Sequence, residues 1–286
     1  MTSWIWTIAI ILVIMAVFFL IVMIIDGNRF VTVNYELKNE KIKRNHRFVV
    51  ISDLHNKSYG ENNEKLLKKI EELQPEAILI AGDILTAVPG KEYNIALSFV
   101  EQLSKKYPLY YGMGNHETRL FLYPETYGTM GQDYERDLQK IKVEFLRNAG
   151  KDIEDNIRIT GAEIERKYYK RFKNTPMERT YLENILGKPD NKKYQILLAH
   201  NPDYFEEYAT WGADLVLSGH VHGGIMRLPV LGGVLAPSLR IFPKYDGGLF
   251  RSGKSVMILS RGLGSHTIPV RIFNPGELVC VDLKPL

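Results

Sequence analysis

Five apolar runs in this chain of 286 residues each end in Asp, Asn or His, and this regularity restricts the possible folds more than any other feature. The runs "RFVVIS", "EAILIAG" and "PLYYGMG" are short and apolar, as expected of strands that are buried on both faces. The segments "NNEKLLKKIEELQ" and "YNIALSFVEQL" lie between them, with apolar residues at helical spacing. This alternation predicts right-handed strand–helix–strand units and an α/β fold with a mostly parallel sheet.

The rest of the chain predicts further strands around this unit. "FVTVNYEL" alternates apolar and polar residues as a first strand would, and several short apolar runs follow residue 192. They are "YQILLAH", "ADLVLSGH", "SVMILSRG", "VRIF" and "ELVCVDL". Between 118 and 192 only "ERDLQKIKVEFLRNAG" has helical periodicity. With no internal repeat or low-complexity linker, we expect one folded domain over residues 28–286.

The polar residues at the strand ends predict a metal site. In open α/β sheets, ligands bind beyond the carboxyl ends of the strands, so these residues would meet at one edge. One such residue alone is usually a turn or cap residue, but burying all of them together needs a compensating cation. Mixed carboxylate, imidazole and amide ligands suit manganese, iron or zinc better than calcium. The residues are Asp53, His55, Asp83, Asn115, His116, His200, His220 and His222.

Two pairs in this set have the spacing i, i+2. In an extended chain such residues point the same way, so Asp53 with His55, and His220 with His222, are expected to face one site. The range 223–224, two glycines, would let the chain turn beside the site without a Cβ atom in the way.

The same residues form motifs that resemble, in order, those of the calcineurin-like metallophosphoesterases. The resemblance runs from about residue 47 to 224 and continues more weakly through "LSRGLGSHTIPVRIFNPGEL", as in a membrane-associated bacterial branch of that family. The motifs are Asp53-x-His55, Gly82-Asp83, Gly114-Asn115-His116-Glu117, His200 and Gly219-His220-Val221-His222.

The resemblance implies a four-layer α/β/β/α sandwich with two divalent metal ions between the sheets. It assigns Asp53, His55 and His222 to one ion, Asn115, His200 and His220 to the other, and Asp83 to both. It further implies that a metal-bridging hydroxide attacks phosphorus in line, with His116 and Asp83 as catalytic residues and His116 beside the leaving oxygen. The sequence departs from the family pattern after Glu117, in "TRLFLYPETYGTMGQDYERD".

Three more residues are candidate contacts of a substrate phosphate. Arg227 and Arg261 carry the right charge, and His266 lies in "GLGSHTIP", a glycine-rich loop of the kind that approaches anions. An exposed loop position is the alternative for His266. His46 is most simply interpreted as a surface residue before its strand.

The N-terminal segment predicts a membrane anchor. Residues 4–25 contain no charge and no proline, and the run is long enough to cross a bilayer core. The absence of a basic n-region and of a small-x-small site argues against a cleaved signal peptide, and a buried core helix is the other alternative. Trp4 and Trp6 suit a membrane interface. We therefore expect residues 1–27 to anchor the chain by a single pass in the cell membrane.

The orientation of this anchor follows from the charges beside it. Five positive residues follow the apolar run closely, whereas only the terminal amine precedes it, so the positive-inside rule favours a cytoplasmic domain. Some of these charges could instead belong to the folded domain. The five are Arg29, Lys38, Lys41, Lys43 and Arg44.

Composition limits the partners. The net charge of +4 is too small to indicate nucleic-acid binding, and only "EKIKRNHR" and "ERKYYKRFK" concentrate basic residues. The single cysteine, Cys280, excludes an internal disulfide and a cysteine-rich zinc site, and its apolar neighbours predict a buried thiol in a strand. No feature of the sequence identifies a protein partner.

The substrate is the least determined expectation. The resemblance includes enzymes that cleave UDP-diacylglucosamine, so a lipid-linked phosphate or pyrophosphate is one hypothesis. Phe121, Tyr123, Tyr127 and Tyr134, in the stretch 118–137, would then form an apolar lid over the site, unless they belong to an ordinary packed loop. The alternatives are broad phosphodiesterase or phosphatase activity on small soluble substrates, or a scaffold of the same fold without catalysis.

Overall fold

The computed structural model describes residues 2–154, 156–170, 175–228, 232–235, 242–265 and 270–286. The helices are α1 (Thr2–Asn28), α2 (Glu64–Leu73), α3 (Asn94–Ser104), α4 (Asn115–Leu122), α5 (Pro124–Tyr127), α6 (Met130–Lys140), α7 (Tyr181–Leu186) and α8 (Phe205–Trp211). The strands are β1 (Phe30–Asn39), β2 (His46–Ile51), β3 (Ala77–Ala81), β4 (Leu109–Gly112), β5 (Glu144–Leu146), β6 (Ala149–Ile153), β7 (Ile157–Gly161), β8 (Tyr194–Leu198), β9 (Leu215–Ser218), β10 (Met226–Leu228), β11 (Gly232–Leu235), β12 (Gly248–Ser252), β13 (Ser255–Leu259) and β14 (Gly276–Pro285).

Two six-stranded sheets form the centre of the protein. The first has the order β1-β14-β2-β3-β4-β5, in which β2, β3, β4 and β5 are parallel. The second has the order β12-β13-β9-β8-β7-β6, in which β13, β9, β8 and β7 are parallel. Each sheet therefore collects the carboxyl ends of its central strands at one edge.

The two sheets pack face to face through apolar side chains. Phe48 and Leu79 of the first sheet share a fully buried cluster with Ile196 and Leu217 of the second. These strands read as continuous apolar runs because each also carries helices on its other face.

Helices cover the outer faces of both sheets. Ile70 of α2 and Phe99 of α3 pack against the first sheet, and Leu182 of α7 and Tyr208 of α8 pack against the second. The predicted four-layer α/β/β/α arrangement is confirmed.

Two local predictions were wrong in part. The helix expected over "ERDLQKIKVEFLRNAG" ends at Lys140, and the chain turns through Lys142 (φ 60°) into β5 and, after Asn148 (φ 48°), into β6. Pairing of β5 with β4 outweighs helical periodicity there, because it covers the edge of the sheet. The run "VRIF" forms only one bridge, between Ile272 and Met226, instead of a strand.

His46 also differs from expectation. It is the first residue of β2 and is only 2% exposed, with its Nδ1 atom 2.7 Å from Oε1 of Glu76. Its ring stacks on Phe48 at 5.9 Å between centroids. The prediction of a surface residue was wrong because Glu76, just before β3, covers this strand end. Cys280 is buried in β14, as predicted.

Helix α1 stands apart from this core. The range Trp4–Asn28 is long and apolar enough to cross a membrane, and its apolar side chains are mostly exposed. Near its C-terminal end the helix meets the domain, where Asp26 is buried. A helix that is apolar on all sides and uncovered by protein is typical of a membrane-exposed segment.

Candidate metal centre

The structure brings the polar residues of the strand ends together where the carboxyl edges of the two sheets meet. Three overlapping groups of side chains are each close enough to hold a metal ion, with ligand atoms within 4.8 Å of one another. One of them, His55 with Asp83 and His116, shares a residue with each of the other two, which are called the first and the second group. The first group is Asp53, His55 and His222, and the second group is Asp83, His200 and His220. His220 and His222 therefore fall into different groups, as the resemblance implies.

The backbone at these residues is not extended. Asp53, His55, Asp83, His220 and His222 all have φ between 51° and 74°, in the left-handed region that is costly for residues other than glycine. The expectation that the pleat of an extended chain aims each i, i+2 pair was therefore wrong. Tight left-handed turns after the strands aim these side chains instead, and such strain concentrates at functional sites.

Two glycines let these turns approach one another. A Cβ atom on Gly114 would collide with the carboxylate of Asp83, and one on Gly219 would collide with Ser52 and Asp53. Both positions lie where loops from different strands touch, so a larger residue would push the candidate ligands apart.

Hydrogen bonds to main-chain carbonyls orient two of the histidines. Nδ1 of His200 lies 2.7 Å from the carbonyl oxygen of Ala81, and Nδ1 of His222 lies 3.2 Å from that of Gly264. Because a carbonyl only accepts, Nδ1 carries the proton in both rings, and the lone pair of each neutral ring is on Nε2. Such second contacts typically fix metal-binding imidazoles.

The Nε2 atoms face the two carboxylates. Nε2 of His200 is 3.0 Å from Asp83 Oδ2, Nε2 of His222 is 3.5 Å from Asp53 Oδ1, and Nε2 of His55 is 3.7 Å from the same oxygen. A lone pair and a carboxylate oxygen at these distances repel each other unless a proton or a cation lies between them.

The charges of the site shift its pKa values strongly. Burial opposes the charged form of His200, but the carboxylates of Asp83 and Asp53 outweigh it and raise the pKa of His200 to about 10. Burial, and then repulsion from His200, lower the pKa of His220 to about 4. Burial alone would raise the pKa values of Asp53 and Asp83, but nearby histidines lower both. The carboxylates therefore remain charged and attract positive charge.

Asn115 begins α4 directly after β4. Its Oδ1 atom is buried and accepts no hydrogen bond from the residues that the structure describes. A buried amide oxygen without a donor is costly, and a metal ion is one of the partners that removes this cost.

His116 follows Asn115 and faces the same site, but its Nδ1 atom is hydrogen-bonded differently from those of His200 and His222. Its Nδ1 atom accepts from the main-chain N–H of Ala87 at 3.0 Å, so the proton of the neutral ring is on Nε2. Its own main-chain N–H donates to Asp83 Oδ1 at 2.8 Å, and its ring lies 5.0 Å from that of His55. The tautomer is thus opposite to that of His200, which suits a proton donor.

Glu117 holds two of the site loops together, and its role was not predicted from the sequence. Its carboxylate accepts from the main-chain N–H groups of Asp83 (2.8 Å), Ile84 (2.9 Å) and Gly114 (3.0 Å). It also accepts from the hydroxyl of Tyr111 at 2.6 Å. Burial and the nearby carboxylate of Asp83 raise the pKa of Glu117 to about 7.

The aromatic stretch after Glu117 forms α4, α5 and α6 and packs into the outer core of the first sheet. Tyr127 and Tyr134 are buried there, and Phe121 and Tyr123 are half-buried against the same cluster. The hydroxyl of Tyr134 lies 3.2 Å from that of Tyr111, which connects this stretch to Glu117. The packed-segment alternative therefore describes these residues better than an apolar lid.

Tyr169 is a second residue that sequence reasoning missed. Its ring lies 5.3 Å from that of His220 and 6.5 Å from that of His200. It belongs to "ERKYYKRFK", a segment rich in basic residues. Its pair of adjacent tyrosines is the only sequence feature that could have indicated this position.

The three predicted phosphate contacts differ in position. Arg227 forms an ion pair with Asp246 at 3.1 Å, and Arg261 forms one with Glu277. Both guanidinium groups are thus engaged within the protein, and their contact with a phosphate stays a prediction. His266 lies outside the described residues.

Comparison with known proteins agrees with this geometry. The sequence profile of the calcineurin-like phosphoesterase family matches residues 46–224. An uncharacterized metallophosphoesterase of Aquifex aeolicus is 27% identical over 258 residues, covering 87% of this chain and 90% of that protein. One of Campylobacter jejuni is 27% identical over 263 residues, covering 88% of this chain but only 62% of its own length.

A third relative carries a more specific name. The UDP-2,3-diacylglucosamine pyrophosphatase LpxG of Chlamydia muridarum is 24% identical over 274 residues, covering 82% of each chain. The family match spans more than half of the sequence and contains every residue of both groups. The chain belongs to the calcineurin-like phosphoesterase family and is a phosphoester hydrolase that depends on divalent metal.

Proposed function

We propose that this protein is a membrane-anchored hydrolase with two divalent metal ions, acting on lipid-linked phosphoesters or pyrophosphates. The observation that carries the proposal is a direct link between the membrane helix and the metal centre. The side-chain amide of Asn274 donates to the carbonyl oxygens of His222 (2.8 Å) and Gly224 (2.6 Å), while its main-chain N–H donates to Asp26 of α1 (3.0 Å). One residue thus joins the helix end to a candidate ligand loop.

The donor set fits two manganese, iron or zinc ions. The first group would hold one ion, the second group with Asn115 would hold the other, and Asp83 would contact both. Oδ1 of Asp83 already accepts from His116, whereas Oδ2 lies 3.0 Å from His200 Nε2 and 3.9 Å from His55 Nε2. A single oxygen of Asp83 therefore faces both groups.

Bound ions would lower the pKa of a coordinated water and neutralise charge on the phosphoryl oxygens. His116 would donate a hydrogen bond from Nε2–H to the leaving oxygen and stabilise its developing charge, because Ala87 keeps Nδ1 as an acceptor. Asp83 would hold the main chain of His116 in place while its other oxygen binds metal. Both residues would thus act through atoms that face the same space.

The lipid part of the proposal rests on the helix and on one relative. The relative named for UDP-2,3-diacylglucosamine aligns over most of both chains, and a substrate of that kind presents its phosphates at a membrane surface. We propose residues 1–27 as the anchor and residues 28–286 as the catalytic domain. A cytoplasmic position of the domain remains our preference, although Arg29, Lys41 and Arg44 form ion pairs within the protein.

A substrate panel tests the proposal. The full chain in lipid nanodiscs with manganese would be assayed on UDP-diacylglucosamine, a lipid monophosphate, a soluble nucleotide sugar and an aryl phosphodiester. We expect the highest kcat/KM for a lipid-linked substrate. Comparable rates on all soluble substrates would favour the broad-specificity alternative, and a folded, metal-loaded protein without any activity would contradict the proposal.

A further inference from the structure

The segment just before β14 contacts the membrane helix through an exposed aromatic residue. Phe273 is 41% exposed, has a left-handed backbone (φ 53°), and its ring centroid lies 6.3 Å from those of both Phe18 and Phe19. Next to it, Asn274 is fully buried. The chain thus places a strained, exposed phenylalanine beside a helix whose apolar side chains are mostly exposed in the part of the protein that the structure describes.

The position of Phe18 and Phe19 along α1 fixes the depth of this contact. Phe18 precedes Ile25, the end of the apolar run, by seven residues, which is about 10 Å of helix at 1.5 Å per residue. Helical side chains lean toward the N-terminus, so the rings of Phe18 and Phe19 lie at least as far from Ile25 along the helix as their main chain does. If residues 4–25 cross the hydrocarbon core of about 30 Å, Phe273 lies well inside it.

In the same segment, a buried arginine donates hydrogen bonds to main-chain carbonyl oxygens. The guanidinium of Arg271 is buried and donates to the carbonyl oxygens of Arg261 (2.9 Å), Gly262 (3.1 Å) and Asn274 (3.2 Å). Carbonyl oxygens that enter a bilayer must be satisfied by the protein itself. Arg271 does this for Asn274, next to Phe273, and for the neighbouring loop at Arg261 and Gly262.

Basic residues on the surface beside the end of α1 support the same position of the bilayer. A groove of about 570 Å³ starts at Phe30, two residues after α1 ends, and is lined by Lys65, Lys68 and Lys69 and by Glu72, which pairs with Lys69 at 3.0 Å. Lysines beside apolar surface are typical of the headgroup region, where their stems bury and their ammonium groups reach phosphate.

We propose that Phe273 inserts into the acyl chains of the bilayer and so holds the metal centre at headgroup depth. This rests on the proposed membrane span of α1 and adds to it a second, separate contact between the catalytic domain and lipid. Asn274 then transmits the position directly, since it bonds to Asp26 on one side and to the His222 loop on the other.

Spin-label depth measurements on the full chain in phosphatidylcholine nanodiscs test this proposal. Single cysteines would replace Phe273, Val17 and Lys188 in a Cys280→Ala background. Val17 is exposed on α1, and the side chain of Lys188, which is 82% exposed, precedes β8 at the opposite edge of the sheet. We expect the labels at 273 and 17 to collide with oxygen in preference to an aqueous nickel chelate, and the label at 188 to show the reverse.

The three labels separate the two claims. A label at 17 in lipid with a label at 273 in water would overturn the inserted phenylalanine and leave the membrane span intact. A label at 17 in water would overturn both.

A second measurement needs no substitution at 273. The unaltered chain would be irradiated in vesicles that contain a phosphatidylcholine with a diazirine in the middle of its acyl chain, and tryptic peptides would be sequenced by mass spectrometry. We expect an adduct at Phe273 in the peptide that begins at Ile272. Adducts confined to α1 would contradict the proposal.

Discussion

The two halves of the metal centre are supported in different ways. In the first group, the His222 loop is joined through Asn274 to helix α1. In the second group, the Asp83 loop is held by Glu117, a buried carboxylate that connects to Tyr111 and Tyr134 in the core of the first sheet. One side of the site is thus tied to the core of the first sheet, and the other is tied to α1, the proposed membrane anchor.

The two kinds of support separate the positioning of the reacting groups from the positioning of the site relative to α1. The core-supported side keeps Asp83 and His116 at fixed positions, because both Glu117 and the main chain of His116 bind the Asp83 loop. The membrane-linked side carries His222, whose loop bonds to the residue next to Phe273. A phosphoester at a membrane surface would thus meet chemistry set by the core, at a depth set by the helix.

Asp83→Asn should have the largest effect, because it removes the charge of a carboxylate that faces both groups through a single oxygen. We expect kcat to fall by at least about 10³-fold, corresponding to roughly 4 kcal/mol of lost charge stabilisation. Elemental analysis should show that bound metal falls with it. Glu36→Gln, an exposed carboxylate on β1, is the matched control and should keep both activity and metal. Wild-type activity in Asp83→Asn would refute the shared-carboxylate assignment.

His116→Gln should separate stabilisation of the leaving oxygen from metal binding. The Nε2 proton would be lost while the carboxylates stay, so we expect kcat to fall by roughly 10²-fold with metal content unchanged. The loss should shrink for an aryl leaving group of low pKa, which departs without a proton. An equal loss for good and poor leaving groups would show that His116 acts through structure alone.

Asn274→Ala should affect the membrane-linked side only. It leaves the buried carbonyls of His222 and Gly224 without their donor, which costs about 1–3 kcal/mol. We expect bound metal to be released at lower chelator concentrations than in the wild type, measured by chelator titration of the full chain in nanodiscs. Gln102→Ala removes an exposed amide far from the site and serves as the control. Unchanged metal retention would show that the link to α1 is dispensable.

The sequence was sufficient to predict the four layers and the position of the site, because buried strands and the polar residues at their ends leave local patterns. "RFVVIS" and "EAILIAG" became neighbouring parallel strands, and Asp53 and Asp83 follow them as expected. The resemblance to the family extended this to the grouping of His220 and His222. The roles of these residues as ligands stay predictions that metal analysis would test.

The features that the sequence did not predict depend on contacts between residues far apart in the chain, which leave no local pattern. Asp53, whose φ is left-handed, packs against Gly219 and Gly262, which are far away in sequence. His46 is buried only because Glu76 from the next unit covers it. The contact of Phe273 with α1 joins residues more than 250 positions apart, and charge or periodicity gives no sign of it.

The smallest effects should come from a matched pair of hydroxyl deletions in the core of the first sheet. Tyr134 connects to Glu117 through Tyr111, whereas Tyr59 donates to Leu263, next to the Gly264 carbonyl that accepts from His222. Tyr134→Phe removes a donor to Tyr111, which keeps its bond to Glu117, so the free energy of unfolding should fall by about 1 kcal/mol. Tyr59→Phe leaves the buried carbonyl of Leu263 without its donor, and it should cost about 1–3 kcal/mol. Thermal unfolding of the full chain in detergent measures both. A larger loss for Tyr134→Phe would mean that the core-supported side depends on a longer hydroxyl network than the two tyrosines, and the contrast between the two sides would have to be redrawn.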